Sequence, residues 1–200
     1  PKFDRDLDAI FNQVDNKFYA VNKLYIDAYQ PEQTSAGLRY PIINQSILNN
    51  LELGTNFMMY YGHGGPRSWA QERILTGEEL TNLSNFSTTF SRVPIVATIT
   101  CDFTVWDLPQ FNSAGELMLK NNNGGALSMM TTNRPIGTVY GSQFNAYLLN
   151  QLFMDINHQN KSTGKALMDA KKSYLPFASD HAKVNLLGDP MVSVSRPKQD

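Results

Sequence analysis

The chain has 200 residues, of which 42% are hydrophobic and 18% charged, and its formal net charge is −1. This length fits one domain or part of a larger one, and the small net charge gives no electrostatic case for binding nucleic acid or an anionic membrane. No apolar run reaches the roughly 18 residues of a membrane-spanning helix. The single cysteine excludes an internal disulfide and the CxxC spacings of zinc and thioredoxin-like sites.

The N-terminal quarter predicts a helix, a strand and a second helix. The first helix is indicated by apolar residues at helical spacing from Phe3 to Val14. The segment KFYAVNKLYIDAY is rich in aromatic and β-branched residues and predicts a strand, which PEQTSAG should follow as a loop. A second amphipathic helix is expected around Ile43 to Leu51, ending at Gly54. Because the chain starts at Pro1 and enters a helical pattern at once, we expect it to be a piece of a longer protein.

Two apolar segments then predict buried strands, and each leads into a residue that can do chemistry. NFMMYYGHGG carries His63 in front of the pair Gly64 and Gly65, and PIVATITCDF carries Cys101. The interval of 101 − 63 = 38 residues is enough for one loop and one crossover helix. Parallel neighbouring strands would place both side chains at the carboxyl edge of the sheet, where open α/β sheets bind ligands.

The remaining pattern alternates helices and strands. After an irregular stretch from Gly65 to Leu75, the capping-box spacing of Thr76 and Glu79 predicts a helix through Leu83. Further elements are expected in this order: a capping-box helix from Ser113 and Glu116 to Lys120, a strand ALSMMTT, helices from about Gly141 to Phe153 and from about Lys165 to Tyr174, and LLGDPMVSVS as a turn and a last strand. The alternation predicts one α/β domain over residues 1–200 with a mostly parallel sheet.

Cys101 and His63 are the candidates for a nucleophile and its base. A thiol beside an imidazole is typical of nucleophilic catalysis, because a neighbouring imidazolium lowers the pKa of a thiol. A free cysteine is also often an inert buried side chain, and His63 could simply be hydrogen-bonded at a strand end. The flanking glycines favour a functional site, since glycine lets the backbone approach a ligand closely. The amides of Gly64 and Cys101 are then the natural oxyanion donors.

Other residues leave alternatives open. Four carboxylates could orient the histidine or bind a substrate cation, although Glu116 is equally explained as the capping partner of Ser113: Glu72, Asp102, Asp107 and Glu116. Asp27 could also lie at the active edge. Trp69 and Trp106 could wall a substrate pocket or fold back onto the core.

Several residues and motifs point away from other chemistry. His158 and His181 lie in polar stretches and are expected to be solvated loop residues, and Asp189 a turn residue. GxSxG, HExxH, Walker and GxGxxG motifs are absent from the sequence, and the three histidines show no metal-ligand spacing. We therefore expect neither a metal nor a cofactor.

Six segments in this order carry a family resemblance: YYGHGG, WAQERIL, PIVATITCDF, SAGELML, GGALSMMTTNR and NLLGDPMV. Together they resemble the catalytic domain of the gingipain-type cysteine peptidases (peptidase family C25), whose fold is shared with caspases and legumains. Within that family the chain looks most similar to the type IX secretion signal peptidases, the PorU sortases. The resemblance implies a three-layer α-β-α sandwich.

The resemblance also implies roles for particular residues. His63 and Cys101 match the catalytic dyad, and the amides of Gly64 and Cys101 match the oxyanion donors. Trp69 falls where gingipains carry a tryptophan that lines the substrate pocket, and Glu72 and Asp102 are further candidates for substrate contact. In gingipains an acidic residue on an earlier strand orients the histidine. That strand would lie before Pro1, so we expect the chain to lack the first strands of the domain, and Asp27 comes too late to replace the acid.

For the sortase branch the resemblance implies an enzyme at the surface of a Gram-negative outer membrane. It would remove C-terminal signals from secreted cargo through a thioester and pass the acyl group to an amine of anionic lipopolysaccharide. The expected partners are cargo proteins, other type IX surface components and lipopolysaccharide. Two alternatives stay open: a purely hydrolytic gingipain-like protease, and a non-catalytic binding or scaffold module of a surface assembly. The intact His63 and Cys101 count against the scaffold.

Overall fold

The structure is a computed structural model, and it describes residues 2–12, 14, 19–153, 161–173 and 178–195. The elements in chain order are α1 (Lys2–Phe11), a 3-10 turn (Ile26–Ala28), β1 (Glu32–Thr34), β2 (Gly37–Arg39), α2 (Pro41–Leu53), β3 (Phe57–Tyr60), β4 (Gly64–Gly65), β5 (Ser68–Trp69), β6 (Leu75–Thr76), α3 (Gly77–Thr81), β7 (Ile95–Thr98), α4 (Ala114–Lys120), β8 (Ser128–Thr132), α5 (Thr138–Phe153), α6 (Thr163–Ser173), α7 (Ala178–His181) and β9 (Val184–Gly188). None of the helices in these described ranges has the length and apolar character needed to cross a membrane.

The central sheet has the order β3-β7-β8-β9. β3, β7 and β8 run parallel, and β9 pairs antiparallel with β8. A four-residue register joins β3 to β7, with Phe57 opposite Ile95 and Tyr60 opposite Thr98. The expected mostly parallel sheet is therefore confirmed, and the carboxyl ends of β3, β7 and β8 share one edge.

Two apolar clusters cover the two faces of this sheet. Along β7, Ile95 and Ala97 pack into the cluster formed with α1, α5 and α6, whereas Val96 packs into the cluster formed with α2, α3 and α4. Successive strand residues point to opposite faces, so a continuous apolar run such as PIVATI fits a strand buried on both sides. The result is the expected three-layer α-β-α sandwich.

Several local expectations are confirmed. α2 begins with Pro41 in its first turn and ends at Gly54, whose φ of 109° suits glycine. Both capping boxes are formed, at Thr76 with Glu79 and at Ser113 with Glu116. The helices predicted near the C-terminus correspond to α5 and α6, and β8 falls within ALSMMTT. The turn role of Asp189 also holds, since its Oδ1 accepts the N–H of Met191 at 2.8 Å.

Other expectations are wrong. Within KFYAVNKLYIDAY, the described residues 19–25 form no strand and are followed by the 3-10 turn, because the segment divides its apolar side chains between the two clusters. Tyr19 packs against the α5 side of the core and Leu24 against the α2 side, and residues 17 and 18 lie outside the described part. PEQTSAG is not a loop: it contains β1 and the turn of a hairpin whose second strand, β2, starts at Gly37. The short helix α3 ends at Thr81, and the stretch predicted as irregular holds the small sheet β4-β5-β6.

The C-terminal expectations also need correction. The last strand precedes the GDP turn instead of following it, since β9 ends at Gly188. His181 is half-buried rather than solvated: its ring packs against Phe144, and its Nδ1 lies 3.1 Å from the Tyr140 hydroxyl. The prediction for His158 falls outside the described residues.

Candidate active site

The strand register brings the histidine and cysteine loops to the same place. Tyr60 and Thr98 are paired at the ends of β3 and β7. His63 lies three residues beyond Tyr60, and Cys101 lies three residues beyond Thr98. The strands thus stop before the two reactive residues, which the sequence had placed at the strand ends themselves. Both residues lie in loops that follow neighbouring parallel strands, and each is the third residue past the end of its strand.

Thr100 joins these two loops directly. Its hydroxyl donates to the carbonyl of Gly62 at 2.7 Å. A Cβ atom added to Gly64 would lie 2.6 Å from the same hydroxyl oxygen, so glycine is needed for this close approach. The residues on both sides of His63 therefore pack against the residue that precedes Cys101.

The backbone of His63 is held, while its imidazole is exposed. The His63 carbonyl accepts the Tyr60 hydroxyl at 2.6 Å and the Ala70 N–H at 2.8 Å. Burial, together with the charge of Glu72, raises the pKa of Tyr60, which keeps the hydroxyl protonated as a donor. The ring of Phe3 meets the imidazole edge-on at a centroid distance of 5.4 Å.

The cysteine loop is fixed by hydrogen bonds to β8 and to the start of α4. The Thr132 hydroxyl accepts the N–H of Thr100 at 3.3 Å and donates to its carbonyl at 2.8 Å. The Ser113 hydroxyl accepts the N–H of Val105 at 3.1 Å, and the N–H of Gly115 donates to Phe103 at 3.0 Å. Cys101 itself is a free, half-buried thiol. The loop that carries it is thus anchored on both sides of the thiol.

Asp102 follows the thiol in an unusual backbone conformation. Its φ of 50° lies in the left-handed region, which side chains other than glycine adopt at a cost. Burial raises the pKa of Asp102, and the nearby charge of Arg134 acts in the opposite direction. Arg134 itself pairs with Asp107 through both terminal nitrogens, with Nη1 3.1 Å from Oδ1. Residues with a strained backbone, such as Asp102, cluster at functional sites.

The two amides expected to bind an oxyanion are both available. In the β4-β5 ladder the Ala70 N–H donates to the His63 carbonyl. The next pair along the ladder, Gly64 and Trp69, is therefore a non-hydrogen-bonded pair. The N–H of Gly64 therefore points away from β5. Within the part of the chain that the structure describes, the N–H of Cys101 has no acceptor.

Trp69 lies in the core. It is 2% exposed, it stacks on Tyr60 at 4.3 Å, and its Nε1 donates to the Thr98 hydroxyl at 3.0 Å. This position favours the second of the two alternatives that the sequence left open, in which the tryptophan folds back onto the core. Its contacts support the strand ends from which both loops start.

The other candidate residues are spread around the site. Glu116 accepts the N–H and hydroxyl of Ser113, as its capping role requires. Trp106 is 42% exposed and borders a small cavity of about 300 Å³ beside β9. Asp27 lies in the 3-10 turn, and Glu72 is half-buried in the loop after β5.

A groove of about 820 Å³ lies beside the histidine loop. It is lined by α1, residues 19–27 and β3, and it reaches His63 and Glu72. In the described sheet β3 is the outermost strand on this side, and all four of its residues are only half-buried. No group of three or more histidine, cysteine or acidic side chains within the described ranges could hold a metal ion.

Sequence reasoning missed the residues that connect the loops. The Thr100 hydroxyl joins the two loops and the Thr132 hydroxyl joins Thr100 to β8, while the Tyr60 hydroxyl holds the His63 carbonyl. Gly115 allows α4 to approach the cysteine loop. The available signal was the presence of threonine at the carboxyl ends of two apolar strands, TIT and MTT.

One family model and three solved structures match the chain. The sequence model of peptidase family C25 matches residues 3–195. The chain is similar in structure to the Arg-specific cysteine proteinase gingipain R (RgpB), with a TM-score of 0.63 and 13% identity over 76% of this chain and 36% of that one. The Porphyromonas gingivalis complex of RgpB pro- and mature domains gives a TM-score of 0.61 and 13% identity over 76% and 37%.

A third structure, described as a protease, gives a TM-score of 0.55 and 16% identity over 74% of this chain and 37% of that one. At these identities the likeness shows the fold, which is that of gingipains. The chain spans little more than a third of the length of these solved structures. No curated protein matches it in sequence.

Proposed function

The chain belongs to peptidase family C25, a family of cysteine peptidases, and on that premise we propose that Cys101 is the nucleophile and His63 the general base of a peptidase site. The observation that carries the proposal is the Thr100 contact. The hydroxyl of Thr100 binds Gly62, and its side chain packs on Gly64, so the loops of the two reactive residues are in direct contact.

The proposed reaction is acyl transfer through a thioester. His63 takes the thiol proton of Cys101, and the thiolate sulfur attacks the carbonyl carbon of the scissile peptide bond. The oxyanion that forms accepts hydrogen bonds from the amides of Gly64 and Cys101. When the C–N bond breaks, His63 returns the proton to the leaving amine. Water or an amine then attacks the thioester, and the thiol is regenerated.

The proposed substrates and location follow from the resemblance to the type IX signal peptidases. They are C-terminal signals of secreted cargo, cleaved at the outer surface of a Gram-negative cell, with an amine of anionic lipopolysaccharide as the acceptor. The motifs ATITCDF, SAGE and TTNR support this branch over the gingipains. Hydrolysis and transfer use the same two residues, so acceptor access decides between them.

The proposed substrate contacts differ in the support they have. Glu72 borders the groove that reaches His63, and Asp102 directly follows the nucleophile. Both carboxylates suit a substrate cation near the scissile bond. Trp69 has 2% of its surface exposed, so we propose that it acts by supporting Tyr60 beneath the histidine loop.

Trapping of the acyl-enzyme tests the proposal. The protein is mixed with a library of peptidyl esters and quenched in acid, and the adduct is located by mass spectrometry. We expect acylation at Cys101, none in Cys101→Ala, and a loss of roughly 10²-fold or more in His63→Ala. Circular dichroism should show the same fold in all three proteins. Acylation that persists in Cys101→Ala contradicts the assignment.

An added amine separates transfer from hydrolysis in the same assay. The acyl-enzyme is allowed to turn over with increasing glycine amide. If the enzyme is a transpeptidase, the amide product should rise with amine concentration at the expense of the acid. A product that remains the free acid at every amine concentration indicates a hydrolytic protease.

A further inference from the structure

Two buried threonine hydroxyls form a continuous connection across three strand ends. At the end of β8, the Thr132 hydroxyl bonds both the N–H and the carbonyl of Thr100, at 3.3 and 2.8 Å. The hydroxyl of Thr100 in turn donates to the carbonyl of Gly62 at 2.7 Å. We call this chain of hydrogen bonds, Thr132 to Thr100 to Gly62, the threonine relay.

Thr132 is bonded to the chain on both sides of Cys101. The backbone carbonyl of Thr132 also accepts the N–H of Thr104 at 3.1 Å, so one residue holds both ends of the segment that contains Cys101. Thr132 is fully buried and Thr100 is 2% exposed. With water kept out, a lost hydroxyl leaves its backbone partners unpaired in a buried place, which is costly.

Packing alone does not explain threonine at these positions. Valine has nearly the same shape, and a buried hydroxyl is unfavourable unless it is hydrogen-bonded. Here each hydroxyl oxygen is within bonding distance of a backbone group in another loop or strand. The bonds set the distance between the two loops and not only the position of one of them.

We propose that Thr132 and Thr100 are positioning residues that hold the cysteine loop against the histidine loop, so that His63 can activate the thiol. The proposal rests on the proposed function of His63 and Cys101. On this proposal the relay keeps the thiol and the imidazole at the distance that activation requires. Misplacement of reacting groups by about 1 Å can lower a rate by roughly 10²-fold.

Thr132→Val removes the hydroxyl and keeps the shape. We expect the rate of Cys101 alkylation by iodoacetamide at pH 6.5 to fall by roughly tenfold or more, and the pH profile to move to that of an ordinary thiol. Thr132→Ser keeps the hydroxyl and should restore the wild-type profile. Thr100→Val cuts the bond to Gly62 alone and should give the same change, which Thr100→Ser should reverse.

Thr163→Val is the matched control. Thr163 is equally buried, and its hydroxyl donates to the carbonyl of Asp189 at 3.2 Å, close to Ser128 at the start of β8. The change therefore removes a part-buried hydrogen bond from a threonine hydroxyl to a backbone carbonyl, near the start of β8 and away from both loops. Its pH profile should equal that of the wild type. Thermal unfolding of each variant shows that the compared proteins are folded.

Amide hydrogen exchange gives a second measurement that does not depend on thiol activation. Thr132→Val should speed exchange of the Ala70 N–H, which donates to the His63 carbonyl, as well as of the Thr104 N–H, which donates to the Thr132 carbonyl. Thr163→Val should speed neither. If the wild-type thiol proves ordinary, the proposed function fails, and exchange alone decides whether the relay couples the loops.

The outcomes that overturn the relay are distinct. They are an unchanged pH profile and unchanged exchange of the Ala70 N–H in Thr132→Val, or an equal loss in Thr163→Val, or failure of serine to restore what valine removed. Should Thr132→Val not fold, the pair Thr100→Val and Thr100→Ser decides by the same criteria.

Discussion

The cysteine loop and the histidine loop leave neighbouring strand ends, yet the chain holds them very differently. Beyond Cys101, the residues Phe103, Thr104 and Val105 are almost completely buried and bonded to β8 and α4. His63 has a bonded carbonyl but an exposed ring, which meets Phe3 edge-on. Cys101 is thus fixed by the sheet and α4, and His63 by its backbone and one ring contact.

The strands beneath the loops show the same difference. Every residue of β7 and β8 is buried, whereas all four residues of β3 are half-buried along the groove of about 820 Å³. A firmly held cysteine loop and a less enclosed histidine loop imply unequal tolerance to substitution. Substitutions against the cysteine loop should be costly, and those on the groove side of His63 should be mild.

Gly115→Ala should have the largest effect, because it disturbs the packing of α4 against the tightly held cysteine loop. An added Cβ would overlap the buried Thr104 hydroxyl and lie 3.1 Å from the Phe103 carbonyl. An overlap this severe places the cost of overpacking at the upper end of its usual range, about 3 kcal/mol, from which the helix preference of alanine over glycine removes about 1 kcal/mol. We expect a net loss of about 2 kcal/mol in the free energy of unfolding in urea, with slower Cys101 alkylation. A stability equal to that of the wild type would contradict the close packing.

Gly64→Ala should separate the two loops at their point of contact. The new Cβ would lie 2.6 Å from the Thr100 hydroxyl oxygen and 2.9 Å from its Cγ2. We expect a loss of about 1–2 kcal/mol in stability and a clear fall in His63-dependent alkylation. Gly65→Ala is the control one residue away, since nothing lies within 4 Å of its added Cβ. Equal behaviour of the two variants would show that the loops do not need this contact.

Glu116→Gln should have the smallest effect, and one that depends on pH. Burial opposes ionisation of Glu116, but hydrogen bonds from Ser113 and the nearby Lys120 outweigh it and hold the pKa below the ordinary 4.5. A lowered folded-state pKa means that the stabilisation is complete above pH 4.5 and is lost as pH falls through the lower value. Near pH 7 the variant should be less stable by about 0.5–1 kcal/mol, with the difference vanishing in acid.

Urea unfolding at a series of pH values measures this difference. The exposed Glu78, in the first turn of α3, provides the matched control. Glu78→Gln should change stability little at any pH. A gap between wild type and Glu116→Gln that persists at low pH would assign the effect to geometry instead of charge.

The sequence was sufficient for features whose partners lie close together along the chain. Both capping boxes join residues three apart, and the apolar runs before His63 and Cys101 correspond to β3 and β7. The segment after residue 17 was misread because aromatic and β-branched residues favour a strand only when a neighbouring strand is there to pair. Its described part instead packs Tyr19 against Phe153 of α5 and Leu24 against the cluster that contains α2.

The connections within the site depend on register, which the sequence does not reveal. Thr132 and Thr100 are 32 residues apart and meet because Thr131 pairs with Thr98 across β7 and β8. Trp69 is in the core because its ring stacks on Tyr60 and its Nε1 reaches Thr98. None of these contacts follows from spacing along the chain.

The pH dependence of Cys101 alkylation, measured on the wild type and on His63→Ala, tests the central claim most directly. If the two loops assemble a working pair, the wild-type thiol reacts with iodoacetamide well below the ordinary cysteine pKa of about 8.5, and His63→Ala loses that reactivity. If both proteins show the profile of an ordinary thiol, the pair is not functional in this chain and the account is contradicted.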